Sequence, residues 1–283
     1  NSAQRKTLRT RLLEVNAFCW LASRARLKVA GVWVFLAFVA CWWVYMRLWA
    51  GMNWTDEPFS LTTALLLNSV IKIWVGIEAG QCLAEEQKMG TLELLLSTPL
   101  GEREIVRGQL LALKRQFLKP LAAVVAVEVV FMFLLSRYSF VSTEQSGKQL
   151  AFGIAGLVLL ALDLPALIGV ALVSALKSKT PNQASVNTIT RILILPWIVF
   201  AAVASLASFW TVGGTDLGWE FYLHLWFWLG VVTDLAFGLP AWLQVRTRFR
   251  ELALRRVTAS HGKPQPNREV RQPARVVVPA IDY

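Results

Sequence analysis

The sequence runs to 283 residues, of which 55% are hydrophobic and 17% charged, with a formal net charge of +11. A soluble domain places about a quarter of its residues in charge, and a disordered chain lacks this hydrophobicity. Both classes are excluded for most of the length, which leaves a membrane protein with an unexplained excess of Lys and Arg.

Residues 1–28 form a basic region. Leu8, Leu12 and Val15 recur at helical spacing with Arg5 and Arg9 on another face. Asn16 is placed to cap a second short helix bearing Phe18, Trp20 and Leu21, followed by Arg24, Arg26 and Lys28. An apolar face with Trp and a basic flank predicts a helix lying in the membrane interface.

Beyond it, six stretches reach the ~20 apolar residues that cross a bilayer: 29–50, 60–82, 116–136, 150–176, 186–209 and 221–243. The predicted fold is therefore all-α and polytopic, a six-helix transmembrane domain over 29–245 followed by a basic tail over 246–283. In the tail, RTRFRELALRR continues as a basic helix along the membrane surface, and Pro264, Pro266, Pro273 and Pro279 interrupt the remaining residues. Pro165 and Pro196 are expected to kink the fourth and fifth spans, because proline removes a helical hydrogen bond.

The charge sorts by side. Segments 1–28, 83–119, 177–191 and 246–283 hold 25 of the 29 Lys and Arg residues. The opposite face has only Arg47, Arg137 and Lys148. By the positive-inside rule both termini are cytoplasmic, and the net charge is first a topology signal. No motif supports the other reading of a basic chain, nucleic-acid binding.

The loop at 83–115 carries the most information. The second span's helix should continue through Glu85, Glu86 and Lys88 and stop at Gly90. Thr91 can cap a short helix, LELLLS, with Leu92, Leu95 and Leu96 on one face. Thr98 and Pro99 suit the cap and first position of the helix that leads into the third span. A Leu-rich helix too short to span and set between charged helices is an apolar knob for a protein partner. Glu85, Glu86, Glu93, Arg103 and Arg107 form its charged rim.

Four ionisable residues fall near mid-span: Lys72, Glu128, Asp163 and Asp234. Such a residue costs at least ~2.5–3.5 kcal/mol at the helix centre and is normally paired or facing a polar cavity. One cation among three carboxylates predicts a Lys72–Glu128 or a Lys72–Asp163 pair, either as a structural tie or as part of a substrate path. The cysteines Cys19, Cys41 and Cys82 and the histidines His224 and His261 show no metal-ligand spacing. No Walker A sequence is present, so any ATP hydrolysis belongs to a partner.

The run E-E-Q-K-M-G-T-L-E-L-L-L-S-T-P-L, Glu85 to Leu100, followed by E-I-V-R-G-Q-L from Glu104, resembles the ABC-2 family of ABC transporter permeases. Gly108-Gln109 departs from the commoner Gly-Lys. Asn16 to Lys28 is similar to the family's interfacial elbow helix, with Ala17 where Pro is frequent. The resemblance covers about residues 12–246.

It implies an export permease of the cell inner (plasma) membrane, multi-pass and embedded in lipid, without nucleotide chemistry of its own. ATP-Mg would be bound by a separate ABC ATPase subunit. The helix at 91–97 would be the coupling helix, with Glu85, Glu86, Gly90, Thr91, Leu92, Glu93, Leu95, Leu96, Thr98, Pro99 and Arg103 making up the coupling site. A second permease half is implied, either as a homodimer or as a fused or paired half. The opening Asn1-Ser2-Ala3, entering a charged helix at once, resembles the start of a second half. Two alternatives compete. One is a membrane subunit that transmits force or signals from an ATPase without transporting. The other is an intramembrane enzyme: Glu85-Glu86 resembles the glutamate pair of CAAX-type proteases, but position 90 is Gly and no His precedes Leu223.

Overall fold

The computed structural model describes residues 27–49, 57–89, 101–138, 143–210 and 217–261, and all regular structure among them is helical. In order these are α1 (Leu27–Trp49), α2 (Glu57–Lys88), α3 (Glu102–Tyr138), α4 (Thr143–Lys177), α5 (Pro181–Ile189), α6 (Leu195–Trp210) and α7 (Trp219–His261). A π turn, Thr190–Ile194, joins α5 to α6 in one span. Among the described residues, six helical spans are long and apolar enough to cross a membrane. A helix satisfies all its backbone hydrogen bonds internally, which lipid requires. The chain is a polytopic, all-helical membrane protein.

Residues 1–26 of the interfacial region predicted for 1–28, the short helix at 91–97 and residues 262–283 of the tail predicted for 246–283 lie outside the described residues. α2 stops at Lys88, with Met89 donating its N–H to the Glu85 carbonyl at 3.0 Å. On the far side of the loop, the carbonyl of Gly101 accepts from the N–H groups of Glu104 and Ile105. The Glu104 carboxylate in turn accepts from the Gly101 N–H at 3.4 Å, half of a capping box. The first described turn of α3 is thus capped by Gly101; Thr98 and Pro99, expected to fill that role, are not among the described residues.

α2 and α4 form the centre of the bundle, with α5 against α2 and α7 against α4. Small residues allow the close approaches, as is general where lipid gives no hydrophobic drive to helix association. At Gly80 of α2 a Cβ would lie 3.1 Å from the Ser185 backbone nitrogen of α5. The Ser185 hydroxyl there donates to the Ile77 carbonyl at 3.1 Å. α4 and α7 run side by side with two such contacts, Gly230 against Leu159 and Gly238 against Ala166. Trp74, deep in the second span, packs against Gly31 of α1 and into a cluster with Ile71, Phe117 and Leu160. By contrast α1 and α6 sit at the periphery. They expose Phe38, Trp42, Leu48, Ile198, Leu206 and Phe209, as lipid-facing helices do.

The two prolines act differently. Pro196 comes just after the π turn, in which the Leu195 N–H reaches back to the Thr190 carbonyl, so the missing proline donor is absorbed by a widened turn. α4 continues through Pro165, whose carbonyl accepts the Trp242 indole N–H at 2.9 Å. Trp242 lies across Gly169, where a Cβ would meet the indole nitrogen at 2.7 Å. This tryptophan is thus an interhelical tie.

One end of the bundle gathers the C-terminus of α2, the N-terminus of α3, the end of α4, the start of α5 and the end of α7. Leu83, Ile105, Leu176, Ala184 and Phe249 from these five helices share one core cluster. Lys88, Arg103, Lys177, Lys179 and Arg246 belong to the same end, hereafter the basic end. α7 breaks its helical geometry at Arg248 (φ −131°, ψ 17°) and continues to His261. Past the break Phe249, Leu252 and Ala253 are buried in the cluster. The stretch expected to lie along the membrane surface therefore packs its first turn beneath the bundle.

Candidate functional site

Four helices bring the intramembrane charges together. α2 carries Asn68 and Lys72 one turn apart on one face. The Lys72 ammonium pairs with the Asp163 carboxylate of α4, and both side chains are about nine-tenths buried. Of the two partners open in the sequence, the structure selects Asp163. Glu128 of α3 is held differently: its Oε1 accepts from Asn68 Nδ2 at 2.7 Å. Asn68 is the member that sequence reasoning missed. Its i, i+4 relation to Lys72 was the available signal, because helical neighbours at that spacing project together.

Asp234 of α7 completes the group. It is 6% exposed, and neither carboxylate oxygen has a hydrogen-bond donor in reach among the described residues. The glycine contacts on either side of it fix its height. Gly230 meets Leu159 and Gly238 meets Ala166, so Asp234 stands opposite Asp163 on the adjacent, parallel helix. Asp163 and Lys72 are the charges that act on it.

A cavity borders this centre, with about 80 Å³ open to the centres of water molecules. One water needs roughly 10–15 Å³ by that measure, so several fit. Asn68, Ser69, Lys72, Glu128, Gln149 and Asp163 provide its polar lining. Gln149, Gly156 and Asp163 recur every seven residues, which keeps them on one face of α4. The apolar wall includes Phe152 and Trp226, stacked at 4.8 Å between centroids. A second cavity of about 240 Å³ shares Leu61, Leu65, Gln149, Phe152, Trp197 and Trp226 with the first. It extends to Lys148, Trp219 and Tyr222, away from the basic end. Lys148 lies over the Trp219 ring there at 5.6 Å. The charged centre is thus bordered by a space that is polar beside the charges and largely apolar beyond them, and that continues toward the end opposite the basic one.

The loop residues divide. Glu85 and Arg103 are exposed at the basic end, at the end of α2 and the start of α3. Glu86 is buried, although the sequence places it on the charged rim. Its position falls on the face of Ala79 and Leu83, at i, i+4 and i+7, and that face is core. Gly90, Thr91, Leu92, Glu93, Leu95, Leu96, Thr98 and Pro99 lie outside the described residues.

Comparison of the chain with protein-family models, with curated proteins and with solved structures found no match.

Proposed function

We propose that this chain is a transmembrane permease subunit of an ATP-driven transporter of the ABC-2 type, acting as an exporter. In this reading a separate ABC ATPase docks on the segment at 91–97, and a second permease half completes the path. What supports it is the sequence of the Leu-rich run Glu85–Leu100, which lies between α2 and α3 along the chain. That run connects two helices that overshoot the membrane at the basic end. α2 has 32 residues and α3 has 37, about 48 and 55 Å at ~1.5 Å per residue, against a hydrocarbon core of ~30 Å. A soluble partner gripping the connection would hold two levers at once.

The levers lead to the charged centre. α2 bears Asn68 and Lys72, and α3 bears Glu128, so a tilt of either helix strains the hydrogen bond and the ion pair at the cavity wall. By the positive-inside rule the basic end faces the cytoplasm, where the ATPase and its ATP-Mg reside. This orientation, with both termini inside the cell, belongs to the proposal, as does placement in the inner (plasma) membrane.

Co-purification of the tagged chain from its own membrane, with any captured ABC ATPase identified by mass spectrometry, tests the docking. Leu92→Asp and Leu95→Asp should each abolish recovery of the ATPase while leaving the permease's expression and thermal unfolding unchanged. A charge buried in an apolar contact without a partner costs several kcal/mol, enough to reduce capture by more than a hundredfold. Undiminished capture with both substitutions would remove the coupling assignment.

A further inference from the structure

We propose that Asp163 and Asp234 share one exchangeable proton, which makes the α4–α7 interface a proton-binding site in the wall of the cavity. The geometry sets the requirement. Asp234 stands opposite Asp163, held at that height by Gly230 against Leu159 and Gly238 against Ala166. Both oxygens of Asp234 are buried and have no donor in reach among the described residues. An ionised carboxylate only accepts, so two facing carboxylates cannot bond to one another. Adding a proton converts one into a carboxylic acid, whose O–H donates to the other. A pair of carboxylates sharing one proton is the general outcome when like charges are held together.

The charge count within the Asp163–Asp234 pair agrees. Lys72 from α2 neutralises one of the two aspartates. Glu128 from α3 has its own donor in Asn68. Glu78, also on α2, is buried six residues further toward the basic end. α5 and α6 contain no titratable side chain, and Arg191 in the π turn is exposed. No second cation among the described groups packed around α4 is placed to balance the second aspartate. The missing positive charge is a proton and not a metal ion for two reasons. The Lys72 ammonium already occupies Asp163, and among the described residues no three His, Cys, Asp or Glu side chains converge as metal ligands would. Asp163 lines the cavity and Asp234 does not. The proton therefore enters from cavity water onto Asp163, and the reaction is uptake of one hydron by one carboxylate. Its release leaves two negative charges facing each other between helices held by glycine contacts. The site's occupancy thus sets the electrostatic fit of α7 against α4. This inference is independent of the proposed ATPase coupling.

Infrared absorption of the full chain in lipid nanodiscs, carrying isotopically labelled aspartate, reads the site directly. The label separates aspartate from Glu128. Asp56, Asp216 and Asp282 lie outside the apolar spans, and the Asp234→Asn variant separates any signal of theirs from that of the pair. The expected result is one labelled carboxylic-acid band at neutral pH that shifts in heavy water. The band should be lost in Asp234→Asn, retained in Glu128→Gln and insensitive to exchange of sodium for potassium. Asparagine supplies an N–H donor to Asp163, so that variant keeps the hydrogen bond while losing the proton. Should it fail to fold, the wild-type bands still decide. Absence of a labelled acid band, a band that does not respond to heavy water, or its displacement by sodium would each overturn the proposal.

Discussion

Lys72→Met should cost about 3–5 kcal/mol of stability, the typical loss when one partner of a buried ion pair is removed. The substitution preserves volume and leaves Asp163 without its cation, opposite Asp234. Both members of the pair are about nine-tenths buried, so solvent cannot take over the role of the ammonium. Thermal unfolding of the purified protein in detergent measures the loss. The pairing makes a sharper demand on the double variants. Lys72→Met with Asp163→Asn should recover most of the lost stability, because the uncompensated charge is gone and asparagine can donate to Asp234. Lys72→Met with Glu128→Gln should not, since Glu128 is bonded to Asn68 and is not the lysine's partner. Rescue by the second double variant and not the first would contradict the arrangement.

Phe249→Ala should cost a similar amount, about 3–5 kcal/mol, as is usual for truncating a fully buried aromatic residue. Phe249 is 1% exposed and packs with Leu83, Ile105, Leu176 and Ala184 from four other helices. Its removal opens a cavity where five helix ends meet. Leu243→Ala on the same helix is the control: that side chain is 61% exposed on the lipid-facing side and should change stability by well under 1 kcal/mol. Limited proteolysis should show earlier cleavage after Arg246 or Arg248 in the Phe249 variant alone. Equal resistance in the two variants would mean that the extension of α7 does not anchor the basic end.

The six spans are legible in the sequence because lipid imposes a single requirement, an apolar helix of sufficient length, and each span meets it in consecutive residues. The intramembrane charges are legible for the same reason, since each stands out against its own span. Their pairing is not. Which of Glu128 and Asp163 meets Lys72 depends on how α3 and α4 are rotated about their axes, and hydropathy that is high all round a helix leaves rotation open. Small residues set that rotation: Gly80 brings α5 onto α2, and Gly230 and Gly238 bring α7 onto α4. Asn68 carries no formal charge and so does not stand out, although its spacing from Lys72 places it in the same group. Phe249, Leu252 and Ala253 escape for the converse reason. Basic residues surround them, and the i, i+3, i+4 stripe they form suits a membrane surface as well as the protein's own core, which it faces. At Pro196 the sequence predicts a kink, and it does not specify the π turn that the structure has just before the proline.

In the proposed reading a soluble partner at the loop moves α2 and α3, and through them the charged cavity. The decisive measurement is the ATP hydrolysis rate of an ABC ATPase captured with this chain, with and without the chain reconstituted in nanodiscs. The wild-type chain should change that rate several-fold, and Leu95→Asp should return it to that of the isolated ATPase. A rate that is the same with the wild-type chain, with the variant and with empty nanodiscs would contradict the assignment of this chain as an ATP-coupled permease.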